Sequence, residues 1–327
     1  MKKSAHIRVF LLGGLGNQLF GTFFARALEL EFKGKVVISD RFIPFGSNSS
    51  RSLMVDQLPA MVIGNLLLEK NSKFVSSLFG SSSTLRRIAW HLYRIFARKK
   101  RVNLDEFLEL KSLPRNGIDI LDYCDDWFFP EYVRNSNSTY PNISDMKFIP
   151  SDLLKDIQDK IVCHVRIGDY LNHPDIYKLL PENYYFSAIE YVGEKNSGLG
   201  YELLVITENK EEVLKFYPKL ASKAKLIGQD DLESDLSAFY LMVNAKRLVA
   251  ANSTFSMWAA WFGLQHRAET VVPDIYEGGL KNSGLKELKW TILNPTTGVR
   301  EPNQEYESWY QIRKSSFRET MHRLKQN

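Results

Sequence analysis

The chain has 327 residues, of which 44% are hydrophobic and 25% charged, and this composition is typical of a globular protein with enough apolar material for two domain cores. Its two cysteines are too few for a disulfide framework, which favours a reducing compartment, and no run of about 18 apolar residues is present. Collagenous, disulfide-stapled and membrane-spanning classes are therefore excluded. A net charge of +5 is compatible with an anionic substrate or a membrane surface and requires neither.

The first residues resemble a secretory signal peptide in having two lysines before an apolar stretch. His6 and Arg8 interrupt that stretch, and no small-x-small cleavage site follows it, so we expect a cytoplasmic protein. The low cysteine content indicates the same compartment.

The first part of the chain predicts a loosely organised α/β domain. A strand is predicted from His6 to Leu12, and after a glycine-rich turn a helix is predicted from about Asn17, because apolar residues recur there at helical spacing. The other elements predicted in this part are a strand at 36–38 and helices at 66–68 and 85–96. The four cations at 98–101 are either the solvated end of the last helix or a contact with anionic lipid headgroups.

From residue 161 onward, strands and helices are predicted to alternate regularly, which is typical of a parallel, doubly wound sheet. The predicted strands are 161–165, 203–206, 225–227, 247–251 and 270–272. The predicted helices are one that begins at Pro181, one through 212–216, and those at 232–245, 253–264 and 303–326. The polar residues 134–146 are interpreted as the connection between two domains, 1–145 and 146–327, and the last helix is assigned to the second domain.

The first candidate site is the loop Gly13-Gly14-Leu15-Gly16-Asn17-Gln18 between the first strand and its helix. Glycines allow a ligand to approach the backbone closely, and the free amides of a helix start attract anions. The loop does not match the dinucleotide fingerprint, because Leu19 stands where the third glycine would be, and no Walker sequence is present. A plain tight turn explains the glycines equally well, whereas the Asn17 and Gln18 amides are good polar ligands for a sugar or a phosphate.

The second candidate site is the sequence from Cys163 to Tyr170, at the end of a predicted strand. Because side chains alternate across a strand, His164 and Arg166 are expected on one face and Val165 and Ile167 on the other. A histidine, an arginine and Asp169 at such an edge could hold a diphosphate and a hydroxyl. Alternatively, Arg166 and Asp169 simply pair with each other, and His164 is a core residue.

The third candidate site is Asn252-Ser253-Thr254, before a helix whose aromatic residues are expected to be core rather than a ligand platform. Ser253 is the predicted N-cap, and the hydroxyls and amides at this helix start form another candidate anion site. Asp235 lies early in the preceding helix, where its carboxylate either accepts the N–H groups of a guanine or favours the helix N-terminus.

No Asp-x-Asp and no His-x-His sequence is present, so the usual metal–diphosphate clamp has no support. The nearest sequence, Glu233-x-Asp235, points its two carboxylates in different directions on a helix. We therefore expect no metal and no cofactor, and we expect arginine and backbone amides to neutralise the phosphate charge.

Taken together, these motifs resemble those of the α-1,2-fucosyltransferases of glycosyltransferase family 11. The resemblance rests on four segments in chain order, namely GGLGNQLF at 13–20, HVRIGDY at 164–170, ITEN at 206–209 and DLSAFYLMVNAKRLVAANSTFSMWAAW at 235–261. It implies a GT-B-like α/β fold, in which two Rossmann-like domains are separated by a cleft. It also implies GDP-β-L-fucose as the donor, no metal, and inversion to an α-fucoside.

The resemblance implies a role for each matching residue. Arg166 would bind the diphosphate of the donor. His164 and Asp235 would contact its guanosine. The phosphates would also be bound at the start of the later helix, by Asn252, Ser253 and Thr254. From the first domain, which would be the acceptor side, Asn17 and Gln18 beside Gly14 and Gly16 would face the fucose and the leaving oxygen. Two departures from the family pattern are that Ile167 replaces a second arginine and that Thr207-Glu208 replaces the first positions of the usual acidic pair.

The implied reaction is a direct displacement at the anomeric carbon of fucose, through an oxocarbenium-like transition state. The leaving GDP needs charge stabilisation more than it needs a proton, which suits Arg166 and helix N-termini. Asp169, and after it Glu208, are the candidates for the general base that deprotonates the acceptor hydroxyl.

The expected partners are GDP-fucose and an oligosaccharide acceptor, a galactose-containing glycan on a lipid carrier, with peripheral contact to the inner membrane and no nucleic acid. Asn252-Ser253-Thr254 is a glycosylation sequon within the candidate site, and a glycan there would block it, so the cytoplasmic interpretation is favoured. Two alternatives remain. One is a non-catalytic nucleotide-sugar or glycan-binding protein, and the other is a GT-B transferase with another nucleotide sugar, which would lack a guanine contact at Asp235.

Overall fold

The computed structural model describes residues 6–43, 52–70, 100–137, 143, 149, 151–194, 202–264, 269–274, 286, 288–303 and 305–326. The chain divides into two compact units, of which the first comprises Met1–Pro141 with Glu307–Asn327 and the second comprises Asn142–Tyr306. None of the described helices is long and apolar enough to span a membrane.

The first unit is built on a parallel sheet with the strand order β3-β2-β1-β5-β4. Its strands are β1 (Ile7–Phe10), β2 (Val36–Ser39), β3 (Leu67–Glu69), β4 (Lys100–Val102) and β5 (Ile118–Ile120). Its helices are α1 (Leu15–Phe32), α2 (Ala60–Ile63), α3 (Leu104–Leu108), α4 (Phe128–Asn137) and the C-terminal helix (Tyr306–Gln326). The predicted helix after β1 is present as α1, and it begins at Leu15, before the predicted start at about Asn17.

Two elements of this unit differ from the sequence prediction. Residues 66–68 were expected in a helix, but Leu67–Glu69 is strand β3, paired with β2 from Val37↔Leu67 onward. Three residues are too few to nucleate a helix, whereas a sheet edge supplies backbone partners at once. Lys100 and Arg101 lie in β4 rather than at a helix end, while the predicted helix 85–96 and residues 98–99 lie outside the described residues.

The C-terminal helix packs on the first unit, which corrects its predicted assignment to the second domain. Phe317 lies edge-on to Phe128 and Phe129 of α4, with ring centroids 5.7 Å apart in both pairs. Arg313 forms an ion pair with Asp126, and the Arg323 guanidinium donates to the Leu110 carbonyl at 3.0 Å. Because these partners are distant in sequence, the charged appearance of the helix did not reveal which domain its apolar face covers.

The second unit contains a sheet with the order β12-β11-β10-β9-β6-β7-β8, parallel except for β12. Its strands are β6 (Ile161–Val165), β7 (Leu203–Thr207), β8 (Ala224–Ile227), β9 (Arg247–Val249), β10 (Glu269–Pro273), β11 (Thr291–Leu293) and β12 (Arg300–Glu301). Its helices are α5 (Ser151–Asp159), α6 (Glu182–Glu194), α7 (Lys210–Phe216), α8 (Pro218–Ala221), α9 (Asp235–Asn244) and α10 (Thr254–Gly263). The two α/β units, each with a mainly parallel sheet, confirm the predicted α/β fold class. A GT-B-like architecture consists of two such units.

The order of the strands defines a switch point in the second unit. From β6 the chain adds β7 and β8 on one side, and then returns to add β9, β10 and β11 on the other. In open α/β sheets, ligands bind beyond the carboxyl ends of the strands at such a reversal. The residues that follow β6 and β9 are therefore the ones that the fold places at a candidate binding site.

Candidate functional site

Arg166 follows β6 at the switch point and is held by two carboxylates. Its guanidinium lies 2.5 Å from Asp169 Oδ1 and forms a second ion pair with Glu208, which follows β7. The same guanidinium lies over the Tyr170 ring, 5.4 Å from the centroid. The Nε atom of Arg166 is shielded from solvent without a hydrogen-bond partner. The structure therefore brings together three of the predicted catalytic residues and fixes the orientation of the cation.

Glu208 reaches Arg166 because Gly168 leaves space for it. A Cβ at Gly168 would overlap the Glu208 carboxylate, and Gly168 has a φ of +28°, a conformation that side chains rarely adopt. The glycine of the HVRIGDY segment thus has a steric function that neither its motif nor its spacing revealed.

His164 lies on the opposite face of β6 from the main apolar cluster of the unit. Cys163, Val165 and Ile167 are buried in that cluster with Tyr184 of α6, whereas the His164 ring lies 5.9 Å from Phe255 of α10. This confirms the predicted strand alternation. Burial, and secondarily the charge of Arg166, lowers the pKa of His164 to about 3.

The low pKa predicts a specific dependence of stability on pH. The native state keeps His164 neutral, while the unfolded chain protonates it below its ordinary pKa of 6.5. The unfolded state therefore binds more protons between about pH 3 and 6.5, and stability should rise with pH across this window. We expect His164→Asn to show a shallower rise than the wild type in urea unfolding measured at several pH values. Parallel curves for the two proteins would contradict it.

Tyr170 connects the two sides of the switch point. Its hydroxyl donates to the Asn252 carbonyl at 2.7 Å, and the Asn252 amide donates to the Lys178 carbonyl at 2.8 Å. Tyr177 stacks on the Tyr170 ring with centroids 4.6 Å apart. Tyr170 ends the HVRIGDY segment, but its sequence position does not predict this role. Asn252, predicted to bind a ligand, uses its amide to position this loop.

Ser253 caps helix α10, as predicted, and accepts a hydrogen bond from the Phe255 amide at 3.3 Å. Thr254 is the first residue of the helix, and the first turn contains no acidic residue. The positive end of the α10 dipole therefore lies at the carboxyl edge of the sheet, in the loop that Tyr170 ties to β6. A cation and a helix N-terminus at one switch point suit a diphosphate.

Asp235 is the first residue of α9 and is exposed. Its carboxylate accepts a hydrogen bond from the Gln229 side chain at 3.2 Å, and Ser234, not Asp235, is the N-cap. One turn further on, Phe239 packs against Phe255 of α10 with centroids 5.3 Å apart. Asp235 therefore lies at the same edge of the sheet as the start of α10, with its carboxylate accessible.

In the first unit, the glycine loop follows β1. This strand lies between β2 and β5, where the order in which the chain adds strands to the sheet reverses. Gly13 has a φ of +64°, and Gly14 precedes the uncapped start of α1, in whose first turn Gly16 lies. Asn17 is partly exposed in that turn, so its amide is available to a ligand of this unit. These positions are compatible with their predicted roles.

Gln18 has a structural role instead of its predicted role toward a ligand. Its amide group donates to the carbonyls of Gly13 and Ser52 at 3.0 and 2.8 Å, and its oxygen accepts from the backbone amides of Met54 and Val55 at 2.9 and 3.3 Å. A glutamine has two donors and two acceptor positions, so none remains for a sugar. The fully buried Gln18 side chain joins the glycine loop to the segment before α2.

The described residues contain no group of three His, Cys, Asp or Glu side chains that could hold a metal ion. The carboxylates nearest to Arg166 are both engaged with its guanidinium. The metal-free reaction stays a prediction.

Comparison with solved structures finds matches that cover most of the chain but have low sequence identity and low structural similarity. A family 9 glycosyl transferase from Veillonella parvula is 11% identical with a TM-score of 0.45, covering 98% of this chain and 99% of that one. The fucosyltransferase NodZ from Bradyrhizobium is 12% identical with a TM-score of 0.43, covering 79% of this chain and 93% of that one.

Comparison of sequences is more specific. The model of glycosyl transferase family 11 matches residues 140–293. The O-antigen biosynthesis glycosyltransferase WbnK of Escherichia coli is 24% identical over 305 residues, which cover 86% of this chain and 99% of the relative. An alpha-1,2-colitosyltransferase of Escherichia coli is 31% identical over 131 residues, or 36% of this chain and 43% of the relative. The matched region contains the switch point with Arg166, and this chain therefore resembles the fucosyltransferases of glycosyltransferase family 11.

Proposed function

We propose that this protein is an inverting glycosyltransferase that moves L-fucose from GDP-β-L-fucose to the 2-hydroxyl of a galactose residue in a glycan. The main observation in support of this proposal is that Arg166 lies at the switch point of the second sheet, within the residues that match the model of family 11. The name of the O-antigen relative supports surface polysaccharide synthesis as the setting. In this proposal the acceptor is an oligosaccharide on a lipid carrier, which the protein meets in the cytoplasm at the inner membrane.

The proposed chemistry follows from the charges at the switch point. Cleavage of the bond between fucose and GDP leaves negative charge on the diphosphate, and a guanidinium beside it stabilises such charge through bidentate hydrogen bonds. The N-terminus of α10 supplies further donors at the same edge through Ser253 and Thr254. Asp235 and His164 are proposed to contact the guanosine.

Asp169 and Glu208 both form ion pairs with the Arg166 guanidinium. A diphosphate that binds Arg166 would compete with them, because a guanidinium has a limited number of donor pairs. A carboxylate released in this way would be available to accept the proton of the acceptor hydroxyl. Asp169 and Glu208 therefore remain the proposed general bases, and Asn17 is proposed to contact the sugar.

A second candidate donor sugar is colitose, which is L-fucose without its 3-hydroxyl. The 31% identity to the alpha-1,2-colitosyltransferase is the observation that favours it. The test is to offer GDP-fucose and GDP-colitose separately with galactose-terminated acceptors, and to measure GDP release and the linkage of the product. Transfer from one donor identifies the sugar. Tight GDP binding without transfer from either donor would favour a non-catalytic binding protein.

Transfer should persist in the presence of a chelator. The chain has no Asp-x-Asp sequence, and Arg166 offers fixed charge to the diphosphate instead. We expect EDTA to leave most of the initial rate intact, with addition of Mg²⁺ or Mn²⁺ as the matched comparison. A complete loss that either metal restores would contradict the metal-free mechanism.

Among nucleotides, GDP should stabilise the protein most. A ligand that binds only the native state raises the melting temperature, and at equal concentration the tighter ligand raises it more. The Asp235 carboxylate can accept two neighbouring N–H groups from guanine, an arrangement that uracil and adenine lack. We expect GDP to raise Tm more than UDP or ADP at equal concentration. Asp235→Asn should reduce this preference, whereas Asp231→Asn, in the turn before α9, should not. Equal shifts with all three nucleotides would favour another nucleotide sugar.

A further inference from the structure

Helix α10 is buried along its whole length except at one aromatic residue. Nine of its ten residues are buried, among them Trp258 and Phe262, as predicted for aromatic residues of the core. Phe255, in the first turn, is partly exposed and departs from that prediction. A helical side chain leans toward the N-terminus of its own helix, so the exposed part of the Phe255 ring lies beside the end of α10 that attracts anions.

The Phe255 ring packs on two buried side chains of the same unit. Its centroid lies 5.3 Å from the centroid of Phe239 in α9 and 5.9 Å from that of His164 in β6, and both pairs of rings are tilted. Phe239 and His164 are themselves buried. One side of the ring is therefore supported by the core, while the rest is accessible at the carboxyl edge of the sheet, where β6 and β9 define the switch point.

The position of Asp235 indicates which part of a ligand would cover this ring. Asp235 and Phe239 are one turn apart in α9 and therefore lie on the same side of that helix. Because Phe239 packs against Phe255, a flat group that lies on the Phe255 ring would extend toward the Asp235 carboxylate. A guanine base is such a group, and its edge carries the N–H groups that a carboxylate accepts.

The charges beside the ring favour a ligand that is both aromatic and anionic. Arg166 and the start of α10 lie at the same switch point and suit a diphosphate. An uncharged apolar molecule would make no use of these donors, and inorganic phosphate would leave the Phe255 ring uncovered. A nucleoside diphosphate meets both conditions, because its base presents a π face to the ring while its phosphates accept hydrogen bonds.

We propose that Phe255 is the residue on which the base of the donor nucleotide stacks. The inference rests on the proposed function only in requiring that a nucleotide binds at the switch point. Stacking on an aromatic ring accepts any base, whereas a carboxylate that accepts two neighbouring N–H groups selects guanine. Phe255 would therefore contribute affinity for the base, and Asp235 would determine which base is bound.

The test measures GDP binding to the full chain by isothermal titration calorimetry. Phe255→Leu keeps an apolar side chain but removes the ring, and we expect it to weaken GDP binding roughly tenfold, within the range for loss of one stacked base. Phe255→Tyr keeps a ring that can stack and should bind GDP as the wild type does. Phe186→Leu is the matched control, because Phe186 is a partly exposed phenylalanine of α6, and it should leave the affinity unchanged.

A second measurement separates stacking from a structural role of the ring. In saturation-transfer NMR, the H8 proton of a guanine that stacks on Phe255 should receive more saturation than the ribose protons. We expect this preference in the wild type and in Phe255→Tyr, and a smaller one in Phe255→Leu. The Tm of each variant is recorded, and the leucine variant should fold because this position is partly exposed.

Three results would overturn the inference. The first is that Phe255→Leu binds GDP as tightly as the wild type. The second is that Phe255→Tyr loses as much affinity as Phe255→Leu, because the ring would then matter for packing alone. The third is that the ribose protons of GDP receive more saturation than H8 in the wild type, which would place the ribose on the ring.

The same assay distinguishes this inference from the proposed function. If ADP and UDP bind the wild type as tightly as GDP, the guanine assignment fails, whereas Phe255→Leu should still weaken the binding of all three nucleotides. If GDP binds selectively and Phe255→Leu has no effect, the inference alone fails. If none of the three nucleotides binds the wild type, both are overturned.

Discussion

Arg166→Lys is expected to lower the rate of sugar transfer by roughly 10²–10³, the scale seen when one donor to a developing charge is removed. Lysine keeps the positive charge but loses the planar fork of donors that contacts Asp169 and Glu208 from one side chain. A single ammonium cannot present a bidentate pair of donors to a diphosphate. The loss should therefore appear mainly in kcat, with folding unaffected.

The measurement is kcat and KM for transfer from GDP-fucose, with Tm recorded for each variant. Arg247→Lys is a matched control, because Arg247 begins β9 at the opposite edge of the sheet and donates to the Asp159 carbonyl at 3.1 Å. It should retain near-normal activity. Near-normal activity in Arg166→Lys would show that the diphosphate does not bind at this position.

Ile167→Arg is expected to destabilise the protein by about 3 kcal/mol or more and to give no gain in donor affinity. Ile167 is 1% exposed in the cluster of Val165, Tyr184 and Tyr185, where an arginine would find no counter-ion. Arg166, which follows the strand, is not part of this cluster. The residue that fills the place of the family's second arginine therefore has a packing role in this chain.

Urea unfolding gives the change in stability, and Ile167→Val is the control that keeps the apolar character. Removal of one methylene should cost about 1 kcal/mol. A folded Ile167→Arg variant that binds GDP more tightly than the wild type would mean that the diphosphate lies on the face of β6 that packs against α6.

The second unit could be predicted well because its signals are local. The alternation of β6 and the Ser253 cap each depend on a few consecutive residues, and both were confirmed. Helix α9 was also predicted, although it begins at Asp235 and not at residue 232. Strand β3 and the C-terminal helix were assigned wrongly, because their partners lie far away in the chain. Local pattern carries little information about such contacts.

In the candidate site, too, local features could be predicted from the sequence and contacts between distant residues could not. The amino-acid sequence by itself determined that Arg166, Asp169 and Ser253 lie at strand and helix ends, because strand period and capping chemistry are properties of short segments. Only the tertiary structure decided that Glu208 forms an ion pair with Arg166, and that hydrogen bonds to neighbouring loops use all the polar groups of the Gln18 side chain. Each of these depends on which distant backbone supplies a partner, and burial and hydrogen-bond satisfaction are fixed only when the chain has folded.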